Sequence, residues 1–343
     1  MDTLEFRRQF ILSSQPIDDL SLWQMKILKN KMFLYCHPDL PLCYNYNDMI
    51  SLYLLGSIYD PFNPQFGNED ILRNIILNSH NFSECLYNTK IYFGRYVIIY
   101  VSIDKFTIYH DALGLREVYY TTKNIDNDII CGSQPSLIKR FSKKTLRKCS
   151  NTKKKYFMEV ESKKVRKGRL WIGDETAFED IMHLLPNHYL DVDTRIPVRY
   201  WPKKKLQRKK IEEIAGFANT YLSGAMQALS FRNDLMMAVT AGIDSRTLLA
   251  VSRPFRHKIY YFINKESWHS GLEADFIVTS KIFKEINVPF HKHNVSQNVD
   301  DEYFRKMFFK NSFFAHEFML PTIYNIYYKT HSNKINILGV GEI

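Results

Sequence analysis

The chain lacks long apolar runs: nowhere in its 343 residues does one approach the roughly 18–20 residues that a membrane-spanning helix needs. We therefore expect no membrane span. The N-terminus has acids at Asp2 and Glu5 and no apolar stretch that ends in a small-residue cleavage site. It does not read as a signal peptide, so a cytoplasmic protein is expected.

Cysteine is also scarce, and its spacing excludes two common uses of the residue. The number is odd and no C-x-x-C pair occurs, so neither a disulfide framework nor a zinc site is expected. We expect all the cysteines to be reduced thiols. The five cysteines are Cys36, Cys43, Cys85, Cys131 and Cys149.

Acidic residues are too few to balance the basic ones, and the chain carries a formal net charge of +11. One segment, 139–169, holds fourteen Lys or Arg against two acids, and a second basic run covers 203–210. Such runs can bind nucleic acid or an anionic membrane. Aromatic residues do not interleave with the charges as a base-stacking surface requires. We favour a solvated loop, and nucleic acid is not the partner we expect.

The remaining composition is globular, with 45% hydrophobic and 24% charged residues in a length that suits two domains. Short apolar runs alternate with polar turns over residues 30–138, which predicts a β-rich domain. From residue 211 onward the pattern predicts helices alternating with strands, typical of an open parallel sheet. We place the domains at 1–202 and 203–343.

The most informative motif lies between the first predicted strand and helix of the second domain, and reads Met-Met-Ala-Val-Thr-Ala-Gly-Ile-Asp-Ser-Arg over 236–246. Such a turn offers backbone N–H groups and a helix N-terminus to a phosphate. We expect Gly242 to allow a positive φ, Thr240 and Ser245 to supply hydroxyls, and Asp244 to bind Mg²⁺. No G-x-x-x-x-G-K-S/T is present, which excludes a Walker A loop. The simpler alternative is a structural turn with an Asp N-cap.

Three further sequence motifs precede this one along the chain. They are His-Asp-Ala-Leu-Gly-Leu-Arg-Glu-Val-Tyr-Tyr at 110–120, Cys-Gly-Ser-Gln-Pro at 131–135, and Leu-Leu-Pro-Asn-His-Tyr-Leu at 184–190 followed by Tyr200 and Trp201. With the 240–245 turn, which is similar to S-G-G-x-D-S, they resemble the asparagine synthetase family. The resemblance covers the chain from about residue 50 to its end.

The resemblance implies a fold class: an α+β glutaminase-like (Ntn-type) sandwich, then an α/β parallel-sheet domain of the adenine-nucleotide α-hydrolase-like (PP-loop) type. Glutamine-dependent members use a cysteine at position two, where this chain has Asp2. A carboxylate is a poor substitute for a thiolate in amide attack. The first domain is therefore expected to lack amidase activity.

The resemblance also implies a site for ATP and Mg²⁺. Thr240, Ala241, Gly242, Asp244 and Ser245 would hold the pyrophosphate, and Asp244 and Ser245 would act in catalysis. The strand containing Tyr261 would read adenine, and Asp244 with Glu342 would bind the metal. Ala241 stands where the family has its first glycine, and the sequence leaves open whether its φ is positive. The segment Glu273-Ala274-Asp275 resembles the family's S-D-E.

These implications lead to an ATP-dependent amide-forming ligase as the expected function. A small-molecule carboxylate would be activated as an acyl-adenylate, and ammonia or another amine would attack it. The T-A-G-x-D-S-R form of the loop is associated with synthetase-like proteins of surface-polysaccharide gene clusters. Because the family's helical C-terminal half is missing after residue 343, a non-catalytic remnant or ATP-binding regulatory module is the alternative. A tRNA-adenylating enzyme is a third.

Overall fold

A computed structural model describes residues 4–123, 128–143, 145–147, 173–265, 272–312 and 319–338. The chain forms two compact units. The first draws on 1–58, 67–207 and 303–318, and the second on 59–66, 208–302 and 319–343. Asp2, Glu342 and most of the basic segment 139–169 lie outside the described residues.

The first unit contains two six-stranded sheets built from antiparallel pairs, in the orders β10-β8-β9-β1-β3-β2 and β12-β11-β7-β6-β5-β4. Their strands are β1 (Phe10–Ser13), β2 (Gln24–Ile27), β3 (Phe33–Cys36), β4 (Leu42–Tyr46), β5 (Ile50–Tyr59), β6 (Phe93–Ser102), β7 (Phe106–His110), β8 (Tyr119–Thr121), β9 (Ile129–Gly132), β10 (Ile181–His183), β11 (His188–Asp191) and β12 (Ile196–Arg199). The helices of this unit are α1 (Asn68–Leu77), α2 (Phe82–Thr89), α3 (Pro135–Phe141) and α7 (Glu302–Ser312).

The two sheets face each other across one apolar core. Phe10, Leu12 and Leu34 from the first sheet cluster with Ile99 and Ile108 from the second, and all five are fully buried. Alternate residues of the strands point the other way, as the two-residue period of a strand requires. On the first sheet these outward residues pack against α3, which covers that face. The first unit is therefore a layered antiparallel sandwich.

Helix α2 packs on the outer face of the second sheet. The ring of Phe82 lies 5.0 Å from that of Tyr100 and 4.8 Å from that of Tyr189. The Tyr109 hydroxyl lies 3.2 Å from the Thr89 hydroxyl, so the one polar atom of this fully buried side chain is satisfied. Aromatic side chains of this size supply much of the buried area that a β-sandwich needs.

The second unit contains a four-stranded parallel sheet in the order β15-β14-β13-β16. Its strands are β13 (Leu235–Ala238), β14 (Ile259–Lys265), β15 (Phe290–Asn294) and β16 (Ile335–Ile337). Its helices are α4 (Ile211–Arg232), α5 (Ile243–Val251), α6 (Leu272–Glu285) and α8 (Leu320–Thr322), which continues as a π-helix over Ile323–Tyr328. Met237, Tyr261 and Phe283 pack together on one face, and Met236 and Phe262 meet Ile326 on the other.

The coarser part of the predicted fold class is confirmed, since an antiparallel sandwich precedes a parallel sheet with intervening helices. The alternating helices and strands predicted from residue 211 onward are present. Among the described residues, no helix is long and apolar enough to cross a membrane.

A half-buried histidine in the sandwich, His183, makes the free energy of unfolding depend on pH. Burial, and secondarily the nearby His110, lower the pKa of His183 to about 4. The folded chain therefore holds this ring neutral, whereas an unfolded chain protonates it below about pH 6.5. The free energy of unfolding should fall by up to about 3 kcal/mol as the pH drops from 6.5 to 4, because the unfolded state then binds the extra proton.

Urea unfolding of wild type and His183→Gln at pH 7 and pH 4.5 checks this. The variant should lose part of the acid sensitivity, while His80→Gln, at an exposed position, should retain all of it. Identical acid sensitivity in wild type and His183→Gln would contradict the assignment.

Candidate functional site

The turn at 239–242 lies where the path of the chain across the parallel sheet changes direction. From β13 the chain moves to β14 and β15 on one side, and it later returns to β16 on the other side of β13. In open parallel sheets, ligands bind beyond the carboxyl ends of the strands at such a reversal. The turn leaves the carboxyl end of β13 and leads directly into α5.

The hydroxyl of Ser245 organises this turn from within. Its Oγ donates towards the carbonyl of Thr240 at 3.0 Å and accepts the N–H of Thr240 at 3.1 Å. The Thr240 hydroxyl lies 3.1 Å from the same Oγ and accepts the N–H of Gly242 at 3.2 Å. Ser245 is 6% exposed, so these contacts hold the turn in place rather than face solvent.

The amide between those of Thr240 and Gly242, that of Ala241, is held by a side chain from another helix. The N–H of Ala241 donates to Oδ1 of Asp275 at 3.0 Å. Asp275 lies in the first turn of α6, which follows β14, so two consecutive crossover connections meet here. Three successive amides, of Thr240, Ala241 and Gly242, thus all donate to side-chain oxygens.

The backbone of the turn does not use the freedom expected of its glycine. Gly242 has φ −65° and ψ 153°, not the positive φ that glycine allows, and Ala241, whose φ the sequence left open, is not among the residues with positive φ. The alanine therefore carries no left-handed strain. Gly242, not an aspartate, is the N-cap of α5, and no side chain caps this helix. Its first N–H groups therefore have no intrahelical acceptor.

Asp244 lies in the first turn of α5 and is exposed. Within the described part of the chain its carboxylate makes no hydrogen bond or ion pair. A free carboxylate beside a helix N-terminus offers the hard oxygen ligands that Mg²⁺ takes.

Tyr261 is a core residue in this structure. Its side chain is fully buried, its hydroxyl lies 2.7 Å from that of Ser252, and its strand β14 is paired on both sides. The structure does not bring the Tyr261 side chain to the turn. Glu342, the predicted second metal ligand, falls outside the described residues.

The histidines of β15 pack with aromatic rings. His293 lies 2.8 Å from the Tyr260 hydroxyl through Nε2 and 3.2 Å from Asn264 Oδ1 through Nδ1. His291 stacks on Tyr260 with ring centroids 4.2 Å apart. Across the described residues, no group of three or more His, Cys, Asp or Glu side chains is arranged to hold a metal ion.

Comparison with known proteins adds little to this geometry. No protein family and no curated protein matches the sequence. Among solved structures, one match is a glutamine phosphoribosylpyrophosphate amidotransferase from B. subtilis in complex with ADP and GMP. It covers 80% of this chain and 81% of its own, with 11% identity and a TM-score of 0.31. At that score the likeness supports no conclusion about function.

Proposed function

We propose that this protein binds the pyrophosphate part of ATP at the 240–245 turn and activates a carboxylate as an acyl-adenylate. Ammonia or another amine would then displace AMP and form an amide. The observation that carries the proposal is the uncapped N-terminus of α5, placed at the reversal of a parallel sheet and preceded by a turn of successive amides.

Each residue of the turn has a definite part in the proposal. The first N–H groups of α5 would bind phosphate oxygens, and the Ala241 N–H would join them when the ligand displaces Asp275. The N–H groups of Thr240 and Gly242 would stay bonded to hydroxyls within the turn. Ser245 would position the turn, because its buried hydroxyl is bonded to both the N–H and the carbonyl of Thr240. Stabilising negative charge on the departing pyrophosphate is the catalytic contribution of such groups.

The free carboxylate of Asp244 fits a Mg²⁺ ligand, and Glu342 is proposed as the second. When bound, the ion would neutralise charge on the phosphate oxygens and assist pyrophosphate departure. Asp275 is a less suitable ligand in the conformation described, because one of its oxygens already accepts the Ala241 amide.

An assay for pyrophosphate release tests the proposal directly. The chain would be incubated with ATP, Mg²⁺ and a panel of amino-acid, sugar-acid and peptide carboxylates, with and without ammonium. We expect carboxylate-dependent release that falls about tenfold or more in Ser245→Ala, because the Thr240 amide loses its acceptor.

Thr247→Ala serves as the matched control, since among the described residues its hydroxyl bonds only to the Ile243 carbonyl, one turn earlier in α5. ATP binding by calorimetry without any release would instead favour the ATP-binding module. The proposal would be contradicted if the chain neither bound ATP nor released pyrophosphate.

Asp275 should act as a competitor of phosphate for the Ala241 amide. Replacing it with asparagine removes a negative charge next to the site while keeping an oxygen that can accept the same N–H. Without Mg²⁺, we expect pyrophosphate to bind Asp275→Asn about three- to tenfold more tightly, which corresponds to about 1 kcal/mol of relieved repulsion.

Calorimetric titration measures this effect, with Glu273→Gln as control because that carboxylate is exposed on the same helix turn. Weaker binding by Asp275→Asn would show that the carboxylate assists the ligand rather than competes with it.

A further inference from the structure

Three arginines lie close together in the first unit, and backbone carbonyls hold two of them, Arg95 and Arg116. Arg116 donates through Nε to the carbonyl of Arg95 at 3.2 Å and through Nη1 to the carbonyl of Arg8 at 3.0 Å. Arg95 donates in turn through Nε to the carbonyl of Leu115 at 2.9 Å. We call Arg8, Arg95 and Arg116 the arginine cluster.

The backbone around the cluster is built to admit these side chains. Gly56 in β5 has φ +105°, and a Cβ there would lie 2.3 Å from the Arg95 carbonyl oxygen and 2.7 Å from Arg116 Nε. Only glycine leaves room for the guanidinium at this point. Arg8 itself has φ +57°, a left-handed conformation that is uncommon for a residue with a side chain.

Repulsion within the cluster is substantial. Burial, and then the charges of Arg95 and Arg8, lower the pKa of Arg116 to about 10. Burial and then the neighbouring Arg7 lower the pKa of Arg8, Asp39 opposes them in part, and Arg95 lowers it further. Like charges held together in a partly desolvated position destabilise the fold unless an opposite charge compensates them.

The nearby acids are engaged elsewhere. Asp111 accepts the backbone N–H groups of Leu113, Leu115 and Arg116 at 2.9–3.2 Å, and Asp39 accepts Nε of Arg7 at 2.6 Å. Within the residues that the structure describes, no carboxylate lies within 4.0 Å of a side-chain nitrogen of the arginine cluster. The guanidinium of Arg8, Nη2 of Arg116 and the terminal nitrogens of Arg95 therefore retain free donors there.

We propose that the arginine cluster is a binding site for a small oxyanion, a phosphate or a carboxylate group. Guanidinium groups bind such anions through paired N–H donors, and charge-assisted bonds of this kind are the strongest available on a protein. Arg8 and Arg95 are exposed and can reach a ligand from solvent, while half-buried Arg116 forms the base of the site. This site is independent of the function proposed for the second unit.

Thermal unfolding and calorimetry of the full chain test the proposal, with inorganic phosphate and malonate as separate probes at constant ionic strength. At least one probe should raise Tm and bind with a measurable Kd, and the stronger of the two identifies the ligand class. The double variant Arg8→Gln/Arg95→Gln should raise that Kd at least tenfold. It leaves Arg116 and its contacts with the backbone in place, so it is expected to fold.

Arg73→Gln is the matched control, because this exposed arginine of the same unit already pairs with Asp70. It should bind the probe as wild type does. The proposal is overturned if neither probe binds, if chloride raises Tm equally, or if the double variant binds as tightly as Arg73→Gln.

Discussion

Replacing Gly224 with alanine should lower the free energy of unfolding of the second unit by about 2–3 kcal/mol, the usual effect of overpacking. A Cβ at this position would lie 1.7 Å from the carbonyl oxygen of Pro61 and 2.8 Å from its carbon. Neither backbone can yield easily, since the segment around Pro61 is fixed to α4 by a hydrogen bond from Asn233 to the Tyr59 hydroxyl. Urea unfolding measures the loss.

A second glycine of α4 provides a control whose replacement should raise the free energy of unfolding instead of lowering it. Nothing lies within 4 Å of a Cβ built at Gly216, so Gly216→Ala should stabilise α4 by about 1 kcal/mol, the ordinary gain in helix propensity. If Gly224→Ala were to stabilise the protein to the same extent, the close approach of Pro61 to α4 would be wrong.

Replacing Asp244 with asparagine should reduce Mg²⁺-dependent pyrophosphate release at least a hundredfold, on the order of 3 kcal/mol of transition-state stabilisation. Asparagine keeps the size of the side chain and removes the charge that would hold the metal. ATP binding without Mg²⁺ should persist, because the start of α5 donates through backbone N–H groups. Release assays over a range of Mg²⁺ concentrations separate the two effects.

Asp234→Asn provides the matched control. This exposed aspartate immediately precedes β13, at the end of the strand opposite to the turn. It should release pyrophosphate as wild type does. Equal activity of Asp244→Asn and Asp234→Asn would remove Asp244 from the proposed site.

The sequence was sufficient to predict the parallel sheet, because its signals are local. Short apolar runs ended at small or polar residues, and amphipathic helices followed at once. The alternation predicted from residue 211 begins there with a helix that continues to Arg232, and the parallel strands β13 and β14 follow it. The first sandwich strand was missed, because Phe10–Ser13 is a short run of four buried residues without alternation.

The site was harder to predict, because its contacts are distant in sequence. Resemblance drew attention to Asp275 but assigned it no role, and its bond to Ala241 spans 34 positions. Gly242 was expected to allow a positive φ from its residue type alone, yet the N-cap conformation it adopts is open to most residues. The arginine cluster joins residues 108 positions apart, which no local pattern reveals.

The order of strands in the parallel sheet has a consequence for how the chain is made. Met237 of β13 pairs with Ile337 of β16, one hundred positions later. At synthesis rates of about 5–20 residues per second, that side of β13 would wait roughly 5–20 s for its neighbour. Through that interval Leu235, Met236 and Met237 present an unpaired apolar edge to other nascent chains. The yield of native protein is therefore expected to depend on how soon translation delivers β16.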